Sequence, residues 1–161
     1  MPSLIQVRYL RSVTTNIYFG PAASKGNLCY DCRSGSDLFS PVPMKIALGY
    51  RIQKGAWGGG NQFGKSIVRA LENRKHEVVY SLADKDIDVI LLTETRWRSP
   101  SAAFTAAKVL RYIMFRNKRA IVVHRVNECD ERKGSNYMNR LLKRANYAAD
   151  HTVFVGTWLK E

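Results

Sequence analysis

From residue 44 onward, short apolar segments alternate with segments whose apolar positions recur every three or four residues. The short apolar segments predict strands buried on both faces of a sheet, at residues 45–50, 76–80, 86–92, 120–124 and 151–155. The other pattern predicts helices that begin near Asn61 and Ser99 and a further helix over residues 136–149. Strands that alternate with helices predict an α/β fold: a doubly wound, mostly parallel Rossmann-like sheet with helices on both faces.

Residues 1–43 differ from the rest of the chain. They are rich in Ser, Gly, Pro and Asn and show no clear periodicity, and a short strand near Leu4 has no visible partner. We therefore expect an irregular N-terminal extension over residues 1–43, either disordered or the result of a misplaced start, followed by one domain over residues 44–161. Cys29 and Cys32 form a lone C-x-x-C without a second pair or a nearby His, which predicts free thiols and no metal site.

Charge narrows the range of partners. The chain has a formal net charge of +13 and a pI near 10.0, and 45% of its residues are hydrophobic. Such a field attracts polyanions such as nucleic acid, an anionic membrane surface or the phosphates of a sugar nucleotide. No apolar run approaches the roughly 18 residues that a membrane span needs, and three cysteines suit a reducing compartment. We therefore expect a cytoplasmic protein that is at most peripheral at a membrane.

A glycine-rich stretch follows the first predicted strand. It consists of Gly58, Gly59 and Gly60, and Asn61 after it is a good N-cap for the next helix. Glycines let a bound group approach the backbone, and the free N–H groups of a helix start favour anions. The stretch therefore predicts a phosphate-binding loop; the plain alternative is a loop that only turns the chain.

A second motif overlaps this stretch. Residues 59–66 satisfy G-x-x-x-x-G-K-S, the P-loop of nucleoside triphosphatases. The context disagrees, because residues 51–58 separate the motif from its strand and Lys65 falls a full turn inside the predicted helix. No later strand ends in an acidic residue that would hold Mg²⁺. A P-loop triphosphatase is therefore the weaker alternative.

The order of the segments resembles one known family. The matching pieces are Met44-Lys-Ile-Ala-Leu, the glycine stretch at residues 58–60, Lys75-His-Glu-Val, Val122-Val-His-Arg-Val-Asn-Glu-Cys-Asp and Ala149-Asp-His-Thr-Val-Phe-Val. Together they resemble the N-terminal domain of GT-B glycosyltransferases of the group-1, subfamily-4-like type. The resemblance covers residues 44–161 and none of residues 1–43.

The resemblance implies transfer of a sugar from a nucleotide-sugar donor to a glycan or lipid-linked acceptor, with retention of configuration and without a metal or other cofactor. It implies that the glycine loop meets the donor phosphates and that His124 is catalytic, whereas a His that ends a strand is by itself more often structural. The acceptor-side candidates lie at the carboxyl edge of the sheet, where ligands of such sheets bind; they are Arg96, Arg125, Asn127 and Glu128.

The chain departs from the family in one respect. Members have a second domain that holds the nucleotide, with two glutamates eight positions apart, and no E-x₇-E occurs here. We therefore expect a chain that is truncated before its donor domain, inactive alone, and dependent on a missing C-terminal domain or a partner chain.

A rival function comes from a different class. The outer faces of two predicted helices carry cations and an aromatic residue each, Lys108, Arg111, Phe115 and Arg119 on one and Arg140, Lys143, Arg144 and Tyr147 on the other. These faces predict a basic module that binds RNA or anionic lipid without catalysis.

Overall fold

The computed structural model describes residues 3–8, 14–19, 42–55, 58–96 and 99–159, the first two ranges as backbone only. β1 (Ser3–Arg8) pairs antiparallel with β2 (Thr14–Phe19), so the strand expected near Leu4 has a partner that the sequence did not reveal. Apart from Val42 and Pro43, the remainder of the predicted extension, including both cysteines of its C-x-x-C motif, lies outside the described residues.

Five parallel strands form the main sheet, in the order β4-β3-β5-β6-β7. They are β3 (Lys45–Leu48), β4 (Glu77–Val79), β5 (Val89–Leu92), β6 (Ile121–Val126) and β7 (His151–Phe154). The helices are α1 (Gly59–Asn73), α2 (Ala106–Phe115), α3 (Asp130–Lys133) and α4 (Met138–Asn146). Every strand predicted from residue 44 onward is present, which confirms the α/β class.

The helices cover both faces of the sheet. Ala47, Ile90 and Val122 lie in register on one face and form the main core with α2 and α4. Arg125 points to the opposite face, where its guanidinium contacts Phe63 of α1. Thus α1 lies on one face and α2 and α4 on the other. Within the described part of the chain, no helix is long and apolar enough to cross a membrane.

The start of α2 differs from the prediction. Ser99 does not cap a helix, because its hydroxyl donates to Glu94 and contacts the Ser101 hydroxyl. The segment after it turns back toward β3, with Arg51 N donating to Ser101 O at 2.7 Å. The helix begins instead after Thr105, whose side chain accepts from the Lys108 amide.

The buried side of α2 also differs from the expected side. The apolar spacing of the sequence predicts that Ala103, Ala107, Leu110, Ile113 and Met114 face inward. Ala103 and Ile113 do pack against the core, but Ala107, Leu110 and Met114 are exposed, and the helix buries Val109 and Tyr112 instead. The Tyr112 hydroxyl donates to the carbonyl of Asp84 at 2.8 Å, which gives this tyrosine an inward polar partner. For α4 the same spacing predicts Met138, Leu141, Leu142, Ala145 and Ala149 on the inner side. This prediction is confirmed, since Met138, Ala145 and Ala149 are buried and both leucines are partly buried.

Candidate functional site

A cleft of about 590 Å³ lies at the carboxyl edge of the sheet. It is bounded by the first turn of α1, the segment after β5 and the segment after β6. The chain runs from β3 to β4 on one side and then to β5 on the other, so the strand order reverses at β3. Ligands of open parallel sheets bind in the crevice at such a reversal. The cleft is therefore the candidate site.

The floor of the cleft is the start of α1. Gly58 is the N-cap residue and, as a glycine, offers no side chain to cap the helix. The amides of Gly59 and Gly60 belong to the first turn and have no intrahelical acceptor. Among the described residues beyond its chain neighbours, a Cβ atom built at Gly58 or Gly59 would meet nothing within 4 Å, whereas one at Gly60 would lie 3.6 Å from the Tyr50 ring. The backbone of Gly58 and Gly59 is therefore open to a bound group.

Asn61 does not cap α1, contrary to expectation. The helix begins two residues earlier, at Gly59, and Asn61 is only 1% exposed. Its side-chain oxygen accepts from the Gln53 amide at 2.8 Å, and its side-chain nitrogen donates to the Gln53 carbonyl at 3.0 Å. Asn61 therefore holds the segment after β3 against α1 and does not reach the cleft.

The P-loop motif does not form a P-loop. Residues 59–66 are helical throughout, so no loop of backbone amides surrounds a phosphate there. Lys65 is exposed on α1 and does not line the cleft. The P-loop alternative is therefore wrong for this segment, because the glycines begin a helix where the motif requires a loop.

His124 lies inside β6, away from the cleft. The strand continues to Val126, so alternation along it places His124 on the α4 face. The side chain is fully buried, and its Nδ1 donates to the Asn146 side-chain oxygen at 3.1 Å, while Nε2 has no hydrogen-bond partner in the part of the chain that the structure describes. Burial lowers the pKa of His124, and the hydrogen bond with Asn146 opposes this only in part. The expected catalytic contact is not made in this geometry.

Arg125 points into the cleft, as predicted. Its guanidinium carbon lies 4.0 Å from the centroid of the Phe63 ring, a cation–π contact. Burial lowers the pKa of Arg125, and no carboxylate among the described residues pairs with it. A half-buried cation without a counter-ion favours an anionic ligand.

Arg96 is held by Glu94 at the rim of the cleft. The Arg96 side chain donates from Nε and one terminal nitrogen to the two Glu94 oxygens, at 2.9 and 2.7 Å. The Arg96 amide and the Ser99 hydroxyl also donate to Glu94, which is 8% exposed. Burial works to raise the pKa of Glu94, but these hydrogen bonds outweigh it and hold the pKa below its usual value. The carboxylate therefore fixes the orientation of Arg96.

The segment after β6 supplies the other charged groups. Glu128 pairs with Lys133 at 3.3 Å and lies 3.8 Å from Arg96. The Asn127 carbonyl accepts from the Arg132 guanidinium at 3.0 Å. These contacts link the two walls of the cleft and bring all four predicted acceptor-side residues to its lining.

Asp130 connects the segment after β6 to the start of α4 by hydrogen bonds. Its carboxylate accepts from the Met138 and Asn139 amides at 2.7 and 3.1 Å and from the Ser135 hydroxyl at 2.7 Å. It therefore caps α4 across the intervening turn, in which Gly134 adopts a left-handed conformation with φ of 60°. This cap fixes where α3 places Arg132 and Lys133.

The charges in the cleft do not cancel. Its carboxylates, Glu94 and Glu128, are paired with Arg96 and Lys133. Arg125 and Arg132 also line the cleft and have no carboxylate partner among the described residues. The cleft therefore has excess positive charge beside the open backbone of α1, an arrangement suited to phosphate.

Sequence reasoning missed part of the lining. The sequence places Phe63 on the apolar stripe of α1 and gives no sign that it lines a site. Glu94, Arg132 and Lys133 were not singled out either, although the last two follow Glu128 in one charged run. No group of three or more His, Cys, Asp or Glu side chains that could hold a metal occurs within the described ranges. No protein-family model, curated protein or solved structure matches the chain.

Proposed function

We propose that the cleft binds the diphosphate of a nucleotide-sugar donor and that the chain is the acceptor-side domain of a GT-B glycosyltransferase with a Rossmann-like sheet. The observation that carries the proposal is the placement of Arg125 and Arg132, neither of which has a carboxylate partner among the described residues, in one cleft with the first-turn amides of Gly59 and Gly60, which have no intrahelical acceptor.

The chemistry of sugar transfer suits these groups. As the bond to the sugar breaks, negative charge grows on the leaving diphosphate. Backbone amides at a helix start and a guanidinium stabilise that charge more as it grows, which lowers the barrier. Arg125 is preorganised for this task because its stacking on Phe63 fixes the plane of the guanidinium. The chain itself thus supplies positive charge for the leaving group.

The acceptor lies on the other wall of the cleft in this proposal. Glu128 and Asn127 offer oxygen acceptors for sugar hydroxyls, and Arg96 is held rigidly by Glu94 and keeps one terminal nitrogen for a ligand. Following the family resemblance, transfer proceeds with retention and needs a donor-binding domain in addition to residues 44–161. His124 takes no direct part and instead supports β6 against α4.

Two substitutions test the proposal. Gly59→Val adds a side chain whose Cβ would lie more than 4 Å from any described atom beyond its own neighbours and helix backbone, so it should obstruct the ligand without disturbing the fold. Arg125→Gln removes a charge-assisted contact of about 1.5–3 kcal/mol, which is roughly tenfold to a hundredfold in affinity. Lys65→Ala is the matched control, since Lys65 is exposed on the same helix outside the cleft.

The measurement is saturation-transfer NMR of UDP-glucose, GDP-mannose and ADP-glucose with the whole chain. We expect millimolar binding of at least one of them, lost in Gly59→Val and Arg125→Gln and retained in Lys65→Ala. Binding that survives both cleft substitutions would contradict the proposal. Binding of ATP that depends on Lys65 would instead restore the triphosphatase reading.

A further inference from the structure

The outer surfaces of α2 and α4 form one continuous face. The two helices contact each other and share the core on the same side of the sheet. Each begins at the carboxyl edge of the sheet and ends at the amino edge, because each precedes a parallel strand. Their last turns therefore lie together at the end of the domain opposite the cleft.

This surface is uniformly basic. Residues 106–119 and 138–147 contain no Asp or Glu. All their cations are exposed and none forms an ion pair with a described residue; they are Lys108, Arg111, Arg116, Lys118, Arg119, Arg140, Lys143 and Arg144. We call the surface formed by these residues the basic face.

Large apolar side chains protrude from the same face. Phe115 is 78% exposed and Tyr147 is 74% exposed, near the C-terminal ends of α2 and α4. Met114 is 52% exposed and Leu110 39% exposed, so α2 also exposes aliphatic side chains in its middle. Exposed apolar groups rimmed by charges mark interaction sites, since water otherwise surrounds them at a free-energy cost.

We propose that the basic face docks on an anionic lipid bilayer. Cations attract the lipid phosphates, while Phe115, Met114 and Leu110 enter the boundary between head groups and acyl chains. RNA fits the face less well, because aliphatic side chains do not stack on bases and two adjoining helices offer no groove for a strand. The proposal does not depend on what the cleft binds.

Co-sedimentation of the whole chain with vesicles tests the proposal. The probes are phosphatidylcholine vesicles with and without about 30% phosphatidylglycerol, at about 0.1 M and 0.5 M salt. We expect binding to the anionic vesicles only, weakened by salt. Arg111→Glu with Arg144→Glu should reduce the partition coefficient by more than about tenfold, since each neutralised cation is expected to cost roughly fivefold and reversal costs more.

Lys65→Glu with Arg69→Glu is the matched control. Both residues are exposed on α1, on the other side of the sheet, and the change in net charge is the same. We expect this variant to bind almost as wild type does. Phe115→Ser with Met114→Ser should abolish the binding that remains at high salt, because only apolar insertion resists screening.

Three outcomes would overturn the proposal. The first is no binding to anionic vesicles. The second is an equal loss in the α1 control, which would show that only net charge matters. The third is tight binding of a single-stranded RNA of about 20 nucleotides without vesicle binding, which would assign the basic face to RNA.

Discussion

The segment after β5 forms one wall of the cleft, and the Glu94 carboxylate holds this wall together. Glu94 accepts hydrogen bonds from the Arg96 amide, from Nε and one terminal nitrogen of the Arg96 guanidinium, and from the Ser99 hydroxyl. Glu94→Gln keeps the shape of the side chain but replaces one acceptor oxygen by a donor. The new N–H groups would face the donors of Arg96, so that at least one of these contacts must break.

The expected cost follows from the geometry. A hydrogen bond to a charged group contributes about 1.5–3 kcal/mol when buried. Glu94 is buried, but the Arg96 side chain is 38% exposed, so solvent screens part of the attraction. We therefore expect Glu94→Gln to lower the free energy of unfolding by about 2–3 kcal/mol. In a double-mutant cycle with Arg96→Gln, the coupling energy should be about 1–2 kcal/mol.

Urea denaturation followed by circular dichroism measures both quantities. Glu72→Gln is the control, because Glu72 is exposed on α1 and forms no ion pair within the described residues. The control should change the free energy of unfolding by less than about 0.5 kcal/mol. A loss below about 0.5 kcal/mol for Glu94→Gln, or a coupling energy near zero, would refute the claim that Glu94 holds Arg96.

The contribution of Glu94 to the free energy of unfolding should also depend on pH. The pKa of Glu94 is lower in the folded protein than its ordinary value, so the unfolded chain takes up the proton first as the pH falls. Its contribution is fully present above the unfolded pKa of about 4.3 and is lost as the pH falls through the folded value. The difference in the free energy of unfolding between wild type and Glu94→Gln should therefore be constant at pH 6–7 and should shrink below about pH 4. A difference that stays constant down to pH 3 would contradict the assignment.

Three further predictions concern other parts of the fold. Asn61→Ala should lower the free energy of unfolding by about 2 kcal/mol in urea denaturation, because it removes both hydrogen bonds to Gln53, whereas the exposed neighbour Gln62→Ala should change it little. Burial lowers the pKa of His124, so the wild-type protein should lose stability as the pH falls below about 6.5. In urea denaturation, the free energy of unfolding of His124→Gln should depend less on pH. The same pH dependence in both proteins would contradict a buried neutral imidazole. Removal of residues 1–43 takes away the β1–β2 hairpin, whose strand β1 lies against the edge strand β7, so the thermal melting temperature should fall by more than a few degrees; an unchanged melting temperature would show that the hairpin does not stabilise the domain.

The sheet could be predicted from sequence because each strand is an apolar run between polar segments. The helix boundaries could not, because capping depends on where a side chain finds a partner. Serine is a common N-cap residue, but the Ser99 hydroxyl is hydrogen-bonded to Glu94 and Ser101. The N-cap of α2 is therefore Thr105. Asn61 is a similar case, since its partner is the backbone of Gln53.

The position of the candidate site could be predicted from the sequence, but the contacts within it could not. Arg125 and Glu128 follow a predicted strand, and parallel topology brings them to the edge where Arg96 also lies. His124 was misplaced because β6 continues to Val126, and alternation along the strand then turns the imidazole inward. The pairing of Arg96 with Glu94 depends on the conformation of a loop, which no periodicity in the sequence specifies.

The central claim is that the first turn of α1 and Arg125 together bind a nucleotide diphosphate. Titration of the ¹⁵N-labelled chain with UDP and GDP, followed by two-dimensional ¹H–¹⁵N NMR, tests it most directly. We expect the largest shift changes at the amides of Gly59 and Gly60 and at the Arg125 side chain, with Lys65 unmoved. Shift changes confined to the basic face of α2 and α4, or the absence of any change at millimolar nucleotide, would contradict the account.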